Sequence, residues 1–188
     1  GGMVALEWVA SCPALTRAAV VFAAPAAHTA HGIGYNHVQR RALELGGLDG
    51  LSLARMVAML TYRTPGEFAA RFGRERRPDG VFQVQSYLSY QGEKLVRRFD
   101  ARSYRVLLDA MDAHDVGRGR GGVVAALRAY RGRLVGVGIP GDLLYPPEDV
   151  REWVDAVGAA YREIRSPHGH DAFLLEPDLM DSRGGLRD

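Results

Sequence analysis

Two runs of apolar residues without polar interruption set the framework of this chain. One covers residues 18–24 (AAVVFAA) and the other covers residues 134–139 (LVGVGI). Apolar runs of this length, without alternation, are typical of strands buried on both faces of a parallel sheet. We interpret a shorter segment, residues 161–164 (YREI), as a third strand.

Segments with helical character lie beside these strands. Residues 4–10 precede the first strand, and residues 123–130 and 147–160 lie on either side of the second. Alternation of helices with buried strands predicts an α/β fold built on a parallel sheet. In open sheets of this kind, ligands bind beyond the carboxyl ends of the strands.

Between the first two strands the pattern changes to a long region in which apolar residues recur every three or four positions, as in helices. A charged, turn-rich segment at residues 74–80 (RERRPDG) divides this region, and a glycine-rich segment at residues 117–122 (GRGRGG) ends it. We therefore predict core structure at residues 1–34, an inserted helical lid at residues 35–116, and further core structure at residues 117–188.

Composition narrows the class of protein only slightly. The 188 residues are 47% hydrophobic, which is enough for one core. The 24 basic and 22 acidic residues give a net charge of +2, and this balance does not point to a nucleic-acid partner. The single Cys12 excludes an internal disulfide and suits a reducing compartment. No apolar run approaches the roughly 20 residues of a membrane span. The chain begins with glycine and not methionine, so a true N-terminus is not expected here and no targeting signal can be judged from it.

Two candidate catalytic residues follow predicted strands. Asp142 comes after the strand at residues 134–139, and His170 comes after the strand at residues 161–164. This order matches the last two members of a Ser…Asp…His triad in an α/β-hydrolase fold, where the acid orients the histidine that acts as base. An ordinary turn aspartate and a solvated loop histidine are the alternatives, and His168 competes for the base position.

The first residues predict where the third member of a triad would lie. Residues 1–8 (GGMVALEW) resemble the outgoing half of a G-x-S-x-G-G nucleophile elbow. The serine would then precede Gly1 by two residues. We therefore expect an incomplete, C-terminal chain that lacks the nucleophile and is inactive alone. Ser11, Ser52 and Ser166 do not lie in such a turn.

Other histidines and the cysteine are weaker candidates. His28, His31 and His37 have a spacing that could bind a metal, but no carboxylate or cysteine accompanies them, so we expect a polar rim of the active site and no metal. Cys12 has no basic residue nearby in sequence, and we interpret it as a structural thiol.

Two charged clusters also have alternative interpretations. Arg118 and Arg120 among glycines could cradle a phosphate, and a flexible hinge explains them equally well. Asp109, Asp112 and Asp115 are interpreted as a solvated helix face and not as a cation site.

Five separated segments together carry a resemblance to a known family, and they occur in the family's order. They are residues 1–8 (GGMVALEW), 84–94 (VQSYLSYQGEK), 98–104 (RFDARSY), 114–119 (HDVGRG) and 169–174 (GHDAFL). With these segments the chain resembles the homoserine O-acetyltransferase family over nearly its whole length. The resemblance implies a partial α/β-hydrolase fold with a helical lid, in cytoplasmic enzymes that form homodimers through their lids.

The resemblance also implies a reaction and a set of site residues. Family members transfer acetyl from acetyl-CoA to the hydroxyl of homoserine, in methionine biosynthesis, through an acyl-serine and without a metal or redox cofactor. By resemblance, Asp142 and His170 are the triad acid and base. Asp171 and Arg55 match the family's substrate-binding residues, and their charges suit the ammonium and the carboxylate of an amino acid.

One departure from the family leaves the acceptor open. The family has a longer loop, rich in aromatic residues and glycine, before the helix with Arg55, where this chain has only residues 45–50 (LGGLDG). Alternatives within the same fold are serine O-acetyltransferase, O-succinyltransferase and deacetylcephalosporin C acetyltransferase. An esterase that admits water to the same triad is a different enzyme class, and lid helices that merely associate are a non-enzymatic alternative.

Overall fold

A computed structural model describes residues 1–180 of the chain and contains three parallel strands with helices on both sides. The strands are β1 (Ala18–Phe22), β2 (Arg133–Gly138) and β3 (Ala160–Glu163), in the order β1-β2-β3. The helices are α1 (Gly2–Ser11), α2 (Ala30–Tyr62), α3 (Pro65–Phe72), α4 (Gln83–Val96), α5 (Ala101–Asp112), α6 (Val123–Arg128), α7 (Pro147–Val157), α8 (Ala172–Leu175) and α9 (Pro177–Met180), with a 3₁₀ turn at Gly169–Asp171. The predicted α/β class is confirmed.

The predicted burial on both faces of the sheet holds for β2 but not for β1, in which Val21 is buried on one face while Val20 on the other is 38% exposed. On one face, Leu6 of α1 and Trp153 of α7 are buried in a cluster with Val21 of β1. On the other face, Val135 and Val137 of β2 form a separate cluster. Burial of apolar surface on both faces is the main force that holds such a sheet together. All three predicted strands are present, each with boundaries shifted by one or two residues.

Helix α7 ends earlier than its sequence pattern predicts. Gly158 takes the left-handed conformation, with φ of +72°, and its backbone N–H bonds back to Val154 and Asp155. Glycine adopts this conformation at little cost, which is why it commonly ends helices. The chain is thereby free to enter β3 at Ala160, which the sequence pattern had placed inside the helix.

Helices α2 to α5 form the region between β1 and β2, and they pack closely on one another. A Cβ at Gly92 of α4 would lie 2.8 Å from the carbonyl oxygen of Ser52 on α2, so only glycine allows this approach.

The predicted loop at residues 45–50 is instead part of α2. A Cβ at Gly50 would nevertheless overlap the carbonyl oxygen of Ala42, eight residues earlier, where a straight helix would separate them by about 12 Å. Helix α2 is therefore sharply bent at this point.

Candidate active site

Asp142 is held rigidly in the turn that follows β2. Gly141 precedes it with φ of +86°, a conformation that favours glycine. The Oδ1 atom accepts hydrogen bonds of 2.8 and 2.9 Å from the backbone N–H groups of Leu144 and Tyr145. The side chain has no exposed surface. These bonds leave Oδ2 as the oxygen that can bind another side chain.

His170 lies on the 3₁₀ turn and binds that oxygen. Its Nδ1 atom is 2.8 Å from Oδ2 of Asp142. The rings of Tyr145 and Phe173 meet the imidazole edge to face, with centroids 5.4 and 5.3 Å away. A carboxylate only accepts hydrogen bonds, so Nδ1 carries a proton and Nε2 is left as the basic nitrogen. This is the tautomer that a general base requires.

His168 has different partners, although it lies only two residues away. Its Nδ1 atom is 3.1 Å from a carboxylate oxygen of Glu67, and Nε2 is 3.8 Å from Glu176. Gly169, with φ of +61°, turns the chain between the two histidines. The structure therefore brings Asp142 together with His170 and places His168 in a separate ionic cluster.

A cavity of about 1300 Å³ adjoins the imidazole of His170. The start of α1, the end of β1 and the inner sides of α2 and α5 line it, and both predicted substrate-binding residues, Arg55 and Asp171, are among its lining residues. Four predicted site residues thus lie at or next to one cavity: three line it, and Asp142 is buried behind His170.

Asp171 is half-enclosed and already has a cationic neighbour. The Nε atom of Arg63, at the end of α2, is 3.2 Å from its Oδ2. Burial raises the pKa of the Asp171 carboxyl, while the nearby Arg63, His170 and Arg55 oppose this rise. Arg63 also binds Glu67 at 2.8 Å, so it is shared between two carboxylates. No feature of the sequence indicated this pairing.

Arg55 lies on α2 with its guanidinium over the ring of Tyr62, 5.4 Å from the ring centroid. Tyr62 in turn lies beside His170, with ring centroids 5.8 Å apart, and it lines the cavity. Burial raises the pKa of its hydroxyl, so the group is a hydrogen-bond donor at neutral pH. Sequence reasoning missed Tyr62, although its position seven residues after Arg55 places both on one helix face.

His28 and Asp112 differ from their sequence-based interpretations. His28 is buried, with Nδ1 3.1 Å from Oδ1 of Asp112 and Nε2 3.0 Å from the hydroxyl of Tyr145. Asp112 also accepts a bond of 2.7 Å from Asn36 and pairs with Arg40, so it does not belong to a solvated face. Residues 1–180 contain no grouping of three His, Cys, Asp or Glu side chains suited to a metal.

The glycine-rich segment at residues 117–122 is anchored to α1. Arg120 donates hydrogen bonds to Glu7, Ser11 and the carbonyl oxygen of Val116, which occupies its guanidinium. Arg118 and the free thiol of Cys12 line the cavity.

None of the helices within residues 1–180 is long and apolar enough to cross a bilayer.

Known proteins with similar sequences share one name. The chain is 49% identical to a homoserine O-acetyltransferase of Thermus thermophilus over 96% of its length, which is 49% of the relative. It is 44% identical to that of Deinococcus radiodurans over 98% of its length and 54% of the relative. No family model matches the chain.

The fold is similar to solved structures as well. The crystal structure of homoserine O-acetyltransferase from Staphylococcus aureus superposes with a TM-score of 0.79 at 33% identity, covering 95% of this chain and 53% of that one. The chain spans about half the length of the relatives it matches. On sequence and fold together, the chain belongs to the homoserine O-acetyltransferase family.

Proposed function

We propose that the complete protein carrying this chain is a homoserine O-acetyltransferase, and that this chain supplies its acid, base and acceptor site. The observation that carries the proposal is the 2.8 Å contact between His170 and Asp142 beside a cavity that Arg55 and Asp171 also line. Two charges of opposite sign beside a positioned base suit a small zwitterion with a hydroxyl group. The names of the sequence relatives agree with this chemistry.

The proposed nucleophile is a serine supplied from outside these 188 residues, at the start of α1. Gly1 and Gly2 line the same cavity as His170. A Cβ at Gly2 would lie 2.6 Å from that of Ala24 and 2.8 Å from the carbonyl oxygen of Phe22, so α1 begins unusually close to the end of β1. A strand-to-helix turn with a nucleophile at its apex needs small residues at such positions.

In the first half-reaction, Nε2 of His170 would take the proton from the serine hydroxyl as the serine oxygen attacks the thioester carbon of acetyl-CoA. Asp142 stabilises the resulting imidazolium through Nδ1. The tetrahedral intermediate then collapses, the carbon–sulfur bond breaks, and His170 passes the proton to the departing sulfur. The products are CoA and an acetyl-serine.

In the second half-reaction, His170 would take the proton from the homoserine hydroxyl, whose oxygen attacks the acetyl-serine. Collapse returns the proton to the serine oxygen and releases O-acetylhomoserine. Arg55 would bind the acceptor's carboxylate, and Asp171 would bind its ammonium group. Because Arg63 already neutralises part of the charge on Asp171, we expect the ammonium to share this carboxylate with Arg63.

The proposal extends to the setting of the enzyme. Methionine biosynthesis in the cytoplasm, with acetyl-CoA and homoserine as the only small-molecule partners and no metal or redox cofactor, follows from the family's chemistry. A homodimer joined through the lid is also proposed. Exposed apolar side chains on α2 and α5, such as Leu53, Leu60 and Val106, support it because contact with a second copy would bury them.

The test is CoA release by the purified complete protein, from acetyl-CoA or succinyl-CoA, with homoserine, serine, deacetylcephalosporin C or no acceptor. We expect rapid release with acetyl-CoA that depends on homoserine, and O-acetylhomoserine as the product by mass spectrometry. Equal release without any acceptor would identify a hydrolase instead. Preference for serine, succinyl-CoA or deacetylcephalosporin C would assign the corresponding transferase.

A further inference from the structure

Tyr145 joins the His170–Asp142 pair to a second, buried pair of the same kind. Its backbone N–H donates to Oδ1 of Asp142 at 2.9 Å, and its ring meets the imidazole of His170 edge to face. Its hydroxyl is 3.0 Å from Nε2 of His28. The side chain is 5% exposed, so the position of the ring depends on what holds its two ends.

Both ring nitrogens of His28 lie within hydrogen-bond distance of other side chains, and His28 is not among the residues that line the cavity. Its Nδ1 atom is 3.1 Å from Asp112, whose carboxylate accepts only, so Nδ1 carries the proton. Nε2 is then an acceptor, and the hydroxyl of Tyr145 donates to it. Burial raises the pKa of Tyr145, which keeps that donor protonated.

The far side of His28 is fixed to the lid. Asp112 is the last residue of α5, and Asn36 and Arg40 of α2 both bind its carboxylate. His28 itself precedes α2, and its backbone N–H donates to the carbonyl oxygen of His114 at 2.9 Å. A continuous set of hydrogen bonds therefore runs from two lid helices through His28 and Tyr145 to the carboxylate of Asp142.

We propose that His28 is a positioning residue for the acyl transfer, which holds the ring of Tyr145 against His170 and so fixes the imidazole in line with the cavity. The inference rests on the proposed function, since it assigns His28 to the same site. Small displacements of a catalytic group reduce rates strongly, by up to about a hundredfold for 1 Å. A group that anchors Tyr145 by its hydroxyl prevents such displacement without touching the substrate.

The first turn of α2 makes room for this arrangement. A Cβ at Gly32 would overlap Nε2 of His28 and lie 3.0 Å from two of its ring carbons. Gly34, two residues further on the same helix, has open space where a Cβ would be. Gly32→Ala therefore displaces the His28 ring from Tyr145 without deleting any polar group. Gly34→Ala is its matched control for the change in helix propensity.

The experiment uses the complete protein and two measurements. Steady-state kinetics with acetyl-CoA and homoserine give kcat and KM, and proton NMR of ¹⁵N-histidine-labelled protein gives the low-field Nδ1–H signal of His170, assigned by its loss in His170→Ala. Beside the glycine pair, the variants are Tyr145→Phe, His28→Asn and His28→Gln. Asparagine reproduces the position of Nδ1 and keeps a bond to Asp112, whereas glutamine reproduces the position of Nε2 and keeps a bond to Tyr145.

We expect Tyr145→Phe, His28→Asn and Gly32→Ala to lower kcat by about tenfold or more, with KM for homoserine within about twofold, and to shift or broaden the His170 signal. His28→Gln should recover most of the parent's kcat and most of its His170 signal. Gly34→Ala should match the parent protein in both measurements. Equal effects of His28→Asn and His28→Gln, or an unchanged His170 signal in Tyr145→Phe, would overturn the inference. If the parent protein shows no acyl transfer, the proposed function fails, and the NMR comparison still decides whether His28 positions His170.

Discussion

The hydroxyl of Thr64 donates a hydrogen bond of 2.6 Å to the carbonyl oxygen of Pro167, 103 residues later, and so ties the lid to the turn that carries His170. The same hydroxyl accepts from the backbone N–H of Glu67 and caps the start of α3. One side chain therefore caps the start of α3 and holds the turn that carries His170 in place. Its methyl group lies against both Gly141 and Gly169, at the two turns that present the acid and the base.

Thr64→Val should destabilise the protein, whereas Thr64→Ser should change stability little. Valine keeps the methyl group and puts a second one in place of the hydroxyl, so it loses the cap and the bond to Pro167; loss of an N-cap alone costs about 1 kcal/mol. Urea denaturation followed by circular dichroism measures the difference. Equal stability of the two variants would show that the hydroxyl contributes nothing to the docking of the lid.

His170→Ala should abolish acyl transfer in the complete protein, and His168→Ala should keep most of it. Only His170 is bonded to Asp142, while His168 pairs with Glu67 and Glu176. Asp142→Asn should lower kcat by about 10⁴, because the amide favours the wrong tautomer of the histidine. CoA release under saturating substrates is the measurement. A large loss in His168→Ala together with an active His170→Ala would reverse the assignment of the base.

Arg55→Ala and Asp171→Asn should impair the second half-reaction and spare the first. Both side chains line the cavity beside His170. A rapid-quench experiment should still show a burst of CoA from acetyl-CoA, while transfer to homoserine falls strongly and hydrolysis becomes the larger share. If Arg55→Ala transfers normally at subsaturating homoserine, the carboxylate must bind elsewhere. Arg63, which already contacts Asp171, is the next residue to test.

Local chemistry in the sequence was enough to predict the three strands and to place Asp142 and His170 near one another. The apolar run of β2 needs burial on both faces, and this requirement leaves few folds open, although β1 has a similar run and exposes Val20. Gly141 and Gly169 precede the two polar residues, and both glycines take positive φ values in the structure. An acid and a base that each follow a strand of one parallel sheet must come near the same edge.

The rest of the site depends on how helices α2 to α5 pack on the core. No short segment of the sequence indicates that packing. His28 and Asp112 are 84 residues apart, and only the docking of α5 beside the start of α2 brings them together. Asp112 shares a helix with exposed residues, so its spacing resembled that of a solvated face. Arg63 likewise meets Asp171 only because Thr64 holds the end of α2 against the base-bearing turn.

The bend in α2 shows how propensity and packing compete. Residues 45–50 were expected to be a loop by comparison with the family, and the three glycines at residues 46, 47 and 50 each lower helix propensity by about 1 kcal/mol relative to alanine. The helix nevertheless continues through them. Contact of Gly50 with the backbone of Ala42 bends it, and tertiary packing of α4 and α5 on α2 holds the bent form.

Folding stability should fall as the pH drops below neutrality, and His28 should account for part of the fall. Burial lowers the pKa of His28 below its ordinary value of 6.5; Asp112 opposes this, and His114 and Arg40 reinforce it. Burial also lowers the pKa of His114, against the opposing effects of the Pro25 carbonyl and Glu7. Both imidazoles therefore bind protons more weakly in the folded chain than in the unfolded chain.

In this pH range the unfolded state takes up more protons than the folded state. The free energy of unfolding is therefore highest above the ordinary histidine pKa. It declines as the pH falls from that value toward the lower pKa values of the two histidines in the folded state. Urea denaturation between about pH 7.5 and about pH 5.5 should show this decline. His28→Gln should have a shallower slope than the parent, whatever its stability at neutral pH, because one of the two responsible imidazoles is gone. His37→Gln removes an exposed histidine of α2 and is the matched control. Identical slopes in the two variants would mean that protonation of His28 is not linked to folding.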